Sequence, residues 1–149
     1  MTIIINSFEE FETHTGNVLF TSSPRNISKS DIQDFCRSVD QMDWFHFDDE
    51  RARASDFGGL VAPGTMTIAL IHSTYFNEVE LKGLRALFLG LDRFRVVAPL
   101  RADASISLEF IVQKVEQRSE GFAVYYDFTW RDSEHEISVG TTIVRYWPD

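Results

Sequence analysis

The densest run of reactive side chains is Asp40-Gln41-Met42-Asp43-Trp44-Phe45-His46-Phe47-Asp48. Asp43 precedes His46 by three residues, a spacing that brings an acid and a base into one small volume when the segment lies between helices. The Trp and Phe neighbours predict partial desolvation, which moves a carboxylate pKa up and a histidine pKa down. Taken alone, the same two residues also read as a hydrogen-bonded structural histidine and a local cap. Downstream, Phe57-Gly58-Gly59-Leu60-Val61-Ala62-Pro63-Gly64 leads into a strongly apolar segment. At a helix entrance there, first-turn amides lack intrahelical partners, and Gly64 lets a ligand approach the backbone closely. Amide donors beside an acid/base pair are what enolate or oxyanion formation at a thioester carbonyl requires. Other chemistries lack their parts. His14, His46, His72 and His135 are scattered, Cys36 is the only cysteine, and no cluster has zinc-like spacing. There is no glycine-rich phosphate loop and no Gly-x-Ser-x-Gly elbow.

These residues need elements to hold them. Ser30-Asp31-Ile32-Gln33 has the form of a capping box, and Ile32, Phe35, Cys36 and Val39 follow at i, i+3, i+4 and i+7. This pattern predicts an amphipathic helix over 31–39. A second short helix is expected from near Asp48, where Asp49 and Glu50 suit the positive end of the helix dipole, to the stop signal Asp56-Phe57-Gly58-Gly59. A third begins at Ala62-Pro63-Gly64, with Pro63 in its first turn, and runs to about Phe76. It is apolar nearly all round, which marks a buried helix. The second half alternates with period two. Ile106, Leu108, Phe110 and Val112 form one inward row, and Phe122, Val124, Tyr126, Phe128 and Trp130 form another beyond the turn-like Arg118-Ser119-Glu120-Gly121. Strands at 137–146 and, with weaker alternation, 86–97 complete an antiparallel meander. The expected architecture is α+β, a curved antiparallel sheet wrapped around one long central helix.

Length and charge bound the function. The 149 residues are the size of one domain, long enough to bury about 70% of the unfolded surface. With 14 Lys+Arg against 23 Asp+Glu, the net charge of −9 argues against nucleic acid or an anionic membrane as a main partner. The charge is uneven: Lys82 to Arg101 carries a net +4, through Lys82, Arg85, Arg93, Arg95 and Arg101 against Asp92. This stretch reads either as a solvated basic strand or as a landing site for an anionic ligand group. One cysteine, no apolar run near the length of a membrane span and no basic leader before Glu9 and Glu10 lead to a soluble, cytoplasmic protein as the expectation.

The run from Ile27 to Ala69 resembles the MaoC-like hydratases and dehydratases of the hot-dog superfamily. Their signature is Gly-Asp-x-Asn-Pro-x-His-x-Asp, then Ala, Phe-Gly-Gly and a His-Gly pair opening the central helix. The matching residues are His46, Asp48, Ala52 or Ala54, Phe57-Gly58-Gly59 and Gly64, with Trp44 at the Pro position and Pro63 at that of the second His. Pro99-Leu100-Arg101-Ala102-Asp103 is similar to a family turn before a late strand. Where the family carries its catalytic Asp, five residues before the His, this chain has Gln41, and Asp43 replaces the family's Asn. The resemblance implies a single hot-dog domain over 1–149, forming a homodimer or a dimer of dimers. The implied reaction is reversible addition or loss of water on an acyl-CoA or acyl-carrier-protein thioester, with no cofactor. His46 and Asp43, with Asp40 as the alternative carboxylate under a shortened loop, are the implied acid/base groups. Gly64 is the implied carbonyl donor, Trp44 an acyl-pocket residue, and Arg93 and Arg95 the partners of coenzyme A phosphates or an acidic carrier. A hot-dog thioesterase or a non-catalytic acyl-thioester binder is the second implied reading, because Gln41 occupies the acid position.

Overall fold

In the computed structural model, which describes residues 1–149, the chain runs β1 (Ile3–Ile5), α1 (Phe8–Thr13), β2 (Val18–Thr21), β3 (Arg25–Ile27), α2 (Lys29–Ser38), α3 (Trp44–Phe47), α4 (Asp49–Arg53), α5 (Thr65–Glu78), β4 (Val79–Leu81), β5 (Leu84–Val96), β6 (Ala104–Gln117), β7 (Phe122–Arg131) and β8 (Glu136–Pro148). The period-two segments become the long strands β6, β7 and β8, which pair antiparallel in sequence order. The weaker fourth strand, β5, pairs with β8 and not with its chain neighbour β6, so the sheet order is β2-β6-β7-β8-β5. The turn between β6 and β7 depends on Gly121, at φ +69°, where a Cβ would collide with the Tyr146 carbonyl oxygen. β3 also pairs with β6, and β1 forms a small parallel pair with β4. No helix is long and apolar enough to cross a membrane.

The inward row of the sheet packs on α5. Trp130 donates its indole N–H to the Thr67 carbonyl (2.9 Å), and Ser138 donates to the Thr67 hydroxyl (3.0 Å). Near the other end of α5, the buried hydroxyls of Tyr75, Tyr126 and Tyr146 bond to one another, the Tyr126–Tyr146 pair at 2.6 Å. The core thus joins Met66, Ile71 and Tyr75 of the helix to Leu108, Phe110, Tyr126, Phe128 and Trp130 of the sheet, the α+β arrangement expected.

Several local boundaries move. The first predicted helix starts two residues earlier, because the capping box is built from Ser28 and Asp31. The Ser28 hydroxyl accepts from the Asp31 amide and the Asp31 carboxylate accepts from the Ser28 amide, both at 3.0 Å. The second predicted helix is preceded by a separate single turn, α3, and ends at Arg53. Pro63 falls just outside α5, whose N-cap is Gly64. The N-terminal elements β1 to β3 and α1 carry no alternation long enough to read, yet Ile5, Phe11, Leu19, Phe20 and Ile27 are all buried.

Candidate active site

His46 lies in the one-turn helix α3 and is only 1% exposed. Its position is fixed from two sides. The Gln33 side chain donates to its carbonyl (3.3 Å), and its own Nδ1 is 2.5 Å from the Val61 carbonyl oxygen. A carbonyl can only accept, so Nδ1 carries the proton, and in the neutral ring Nε2 keeps the lone pair. Nε2 is buried and has no partner in the protein. The segment supplying that carbonyl is itself clamped. Val61 N–H donates to Phe45 (3.1 Å), Ala62 N–H to Leu100 (2.8 Å), and Ala102 N–H to Leu60 (2.9 Å). The Pro99–Asp103 turn is thus the brace behind the histidine.

His46 lines a cavity of about 390 Å³, shared with Gln41, Phe45, Phe57, Gly64, Val96 and others that are uncharged. Gly64 opens α5 in ordinary right-handed geometry, so its role is close approach rather than an unusual φ. A Cβ there would come within 2.5 Å of Val96 Cγ2. The carbonyls of Pro63 and Gly64 accept from Met66 and Thr67, while the Gly64 and Thr65 amides, at the start of the helix, have no intrahelical acceptor. The aligned dipoles of α5 add positive potential at the same end.

The other expected site residues stand elsewhere in the chain. Asp43 is exposed at the N-cap of α3, makes no side-chain cap bond, and is not part of the cavity wall. Its carboxylate lies near the Cys36 thiol, whose pKa is raised by burial and then by Asp43. Asp40 is also exposed, at φ +57°. The reason is the end of α2, where Asp40 N–H donates to Arg37 (3.3 Å) and Gln41 N–H donates to Cys36 (2.9 Å). This is a Schellman turn with Asp40 as its left-handed residue, a conformation Asp tolerates. The turn sends Asp40 outward and brings Gln41 back to the cavity. Trp44 sits outside the cavity wall, edge-on to Phe45 and with the Arg51 guanidinium 4.0 Å above its ring.

The basic stretch does not converge within the chain. Arg85 lies near Asp149 (3.8 Å) at one end of β5, and Arg95 faces Val139 in the register near the other, ten residues or about 33 Å along the strand. Arg93, at φ +54° in a bulge, lines a separate cleft with Lys114 and Tyr125. Arg101 lies over Gly58, its guanidinium 3.3 Å from where a Cβ would be. The Val61 carbonyl is the functional group that motif reading misses. It acts through backbone, and no residue type signals it.

Three comparisons bear on this site. The family model described as "FAS1-like, dehydratase domain region" matches residues 13–141. The 3-hydroxyacyl-thioester dehydratase Z of Mycobacterium tuberculosis is 29% identical over 124 residues, covering 80% of this chain and 82% of that protein. Among solved structures, an R-hydratase of Pseudomonas aeruginosa superposes with a TM-score of 0.78 at 17% identity, over 96% of this chain and 86% of that one. A MaoC-like dehydratase of Rhodospirillum rubrum gives 0.73 at 21% identity, over 91% and 94%. With a family match across most of its length and a sheet wrapped on α5 as the hot-dog fold requires, the chain belongs to the FAS1-like dehydratase-region family and is a MaoC-like hot-dog protein.

Proposed function

We propose that this protein interconverts 3-hydroxyacyl and 2-enoyl thioesters, with His46 as the proton-transferring group and the Gly64 amide as the donor to the thioester carbonyl. It is a hydro-lyase acting on acyl thioesters. The observation that carries the reading is the His46 ring: the Val61 carbonyl holds the Nδ1 proton and leaves a buried, unpartnered Nε2, on a residue that lines the same cavity as a helix entrance. In the hydration direction, Nε2 takes a proton from water as its oxygen bonds to the β-carbon. The displaced π electrons move onto the carbonyl oxygen, where the Gly64 N–H and the positive end of α5 stabilise the charge. The imidazolium then returns a proton to the α-carbon, and dehydration is the reverse sequence.

The substrate arm is a pantetheine thioester, borne by coenzyme A or a carrier protein. The active form is a dimer. The support is β5, an outer strand of 13 residues that leaves Leu87, Phe88 and Leu89 exposed in succession and so opens apolar surface on both faces. An uncovered edge of that kind is a template for pairing with a second copy.

The test is to follow enoyl absorbance with crotonyl, 3-hydroxybutyryl and longer thioesters, with a thiol reagent present in parallel. Turnover that falls 10²-fold or more in His46→Ala, in protein that still melts cooperatively, is the expected result. Thiol release without change at the acyl double bond would replace the hydro-lyase reading with a thioesterase. That second reading is favoured by one observation, the lack of any carboxylate of this protomer in the cavity wall.

A further inference from the structure

We propose that Gln41 holds the reacting water, so that this protein works with one ionising group and one carboxamide instead of an acid/base pair. The inference rests on the hydro-lyase reading of the same cavity. Twelve residues form the cavity wall, and His46 is the only one with a titratable side chain. The two nearby carboxylates are both turned away: Asp40 is the left-handed residue of the Schellman turn, and Asp43 is exposed at the start of α3. The same turn, through the Gln41 N–H to Cys36 carbonyl bond, anchors Gln41 in the wall of the cavity that His46 also lines.

A carboxamide suits this place for a physical reason. Its oxygen accepts and its NH2 donates, so it can take one hydrogen of a water whose other hydrogen points to Nε2, or support the oxygen of a departing hydroxyl. It does this with no charge. The remaining wall is largely Phe45, Phe57, Val61, Val96 and Val97, and a carboxylate among such groups would resist ionisation. The stepwise balance is complete with one base. The proton His46 takes from water is the one it returns to the α-carbon, and the hydroxyl stays on the β-carbon. Gln41 neither gains nor loses a proton. Its contribution is orientation, which is realised most fully in the transition state.

The experiment is the pH dependence of kcat and KM on an enoyl thioester for the unaltered protein, Gln41→Ala, Gln41→Glu and Asp43→Asn, each checked by thermal melting. The unaltered protein is expected to show a single ionisation in kcat, as one acid/base group requires. Gln41→Ala is expected to lower kcat by about tenfold or more with KM little changed, as for a lost transition-state contact. Gln41→Glu is expected to regain part of that loss and to add a second ionisation to the profile. Asp43→Asn is expected to leave both constants within about twofold. Turnover that survives Gln41→Ala, a two-ionisation profile in the unaltered protein, or a 10²-fold loss in Asp43→Asn would each overturn the assignment while leaving the hydro-lyase reading intact. Absence of hydration and dehydration by the folded, unaltered protein would overturn both.

Discussion

The two ends of α5 carry the same unusual feature and put it to different use. Near its N-terminus lies His46 and towards its C-terminal half lies His72, each with a buried Nε2 that has no partner. At His46 the opposite ring nitrogen is held by the Val61 carbonyl, helix amides lie at the same cavity, and the space is about 390 Å³. His72 instead sits edge-on to Phe88 in an apolar recess of about 130 Å³ with Tyr75, Phe76, Phe110 and Val144. Burial alone pushes its pKa below the usual histidine value. An orphaned imidazole nitrogen therefore does not make a base. A defined tautomer, a donor for the charge that develops and room for a substrate head do, and only the N-terminal end has all three.

The comparison breaks most sharply at Gly64. Gly64→Ala places a methyl against Val96 in the wall of the His46 cavity. Turnover is expected to fall 10²-fold or more, the scale of a lost oxyanion donor, while stability drops by only about 1–3 kcal/mol from overpacking. Adding Val96→Ala tests the cause, because it relieves the clash. Recovery of the melting temperature without recovery of kcat places the defect in access to the helix amides, whereas recovery of both places it in packing.

At the other end of the core the balance reverses. Tyr126→Phe removes one member of a closed set of three buried hydroxyls. It is expected to lower stability by about 1–2 kcal/mol, a few degrees in Tm for a chain of this size, with turnover unchanged. The alkaline limb supplies a second readout. Desolvation raises all three tyrosine pKa values, that of Tyr75 to about 12 from 10. Between those pH values the unfolded chain loses protons that the folded one keeps, so stability is intact below pH 10 and declines as pH rises towards 12. Denaturant melts across that window are expected to show a shallower decline in Tyr126→Phe.

The smallest effect is expected at His72. Because its folded pKa is lowered from 6.5, the unfolded chain takes up a proton below that pH that the folded chain resists. Its contribution is therefore lost as pH falls from about 6.5 towards the folded value. His72→Leu is expected to flatten this acid limb and to leave the ionisation seen in kcat where it was. Movement of the kinetic ionisation would mean that the two histidines are coupled, and the contrast between the ends would fail.

Much of this was legible in the residues. The strands β6 and β7 announced themselves by alternation on one buried face, and α5 by apolar residues all round. Both signals come from each residue's own burial, which a linear pattern records. Strand order was less legible, since β5 is an edge strand with exposed apolar side chains and its alternation is blurred by two bulges. The N-terminal elements were silent because three- and four-residue strands are too short to establish a period.

By itself the sequence determined the fold class, the helix entrance at Gly64 and the family likeness around His46, since each depends on residue type at short spacing. Tertiary structure alone decided which polar side chain shares a cavity with His46. Asp40, Gln41 and Asp43 lie within four positions, and one left-handed residue at the end of α2 turns Gln41 to the cavity and Asp40 to solvent. It also set the histidine's proton on Nδ1 through a carbonyl fifteen residues downstream, and spread the arginines that looked like one patch along β5 and, with Arg101, over Gly58. Backbone dihedrals, backbone acceptors and strand length settle these points, and none of them leaves a mark in residue type.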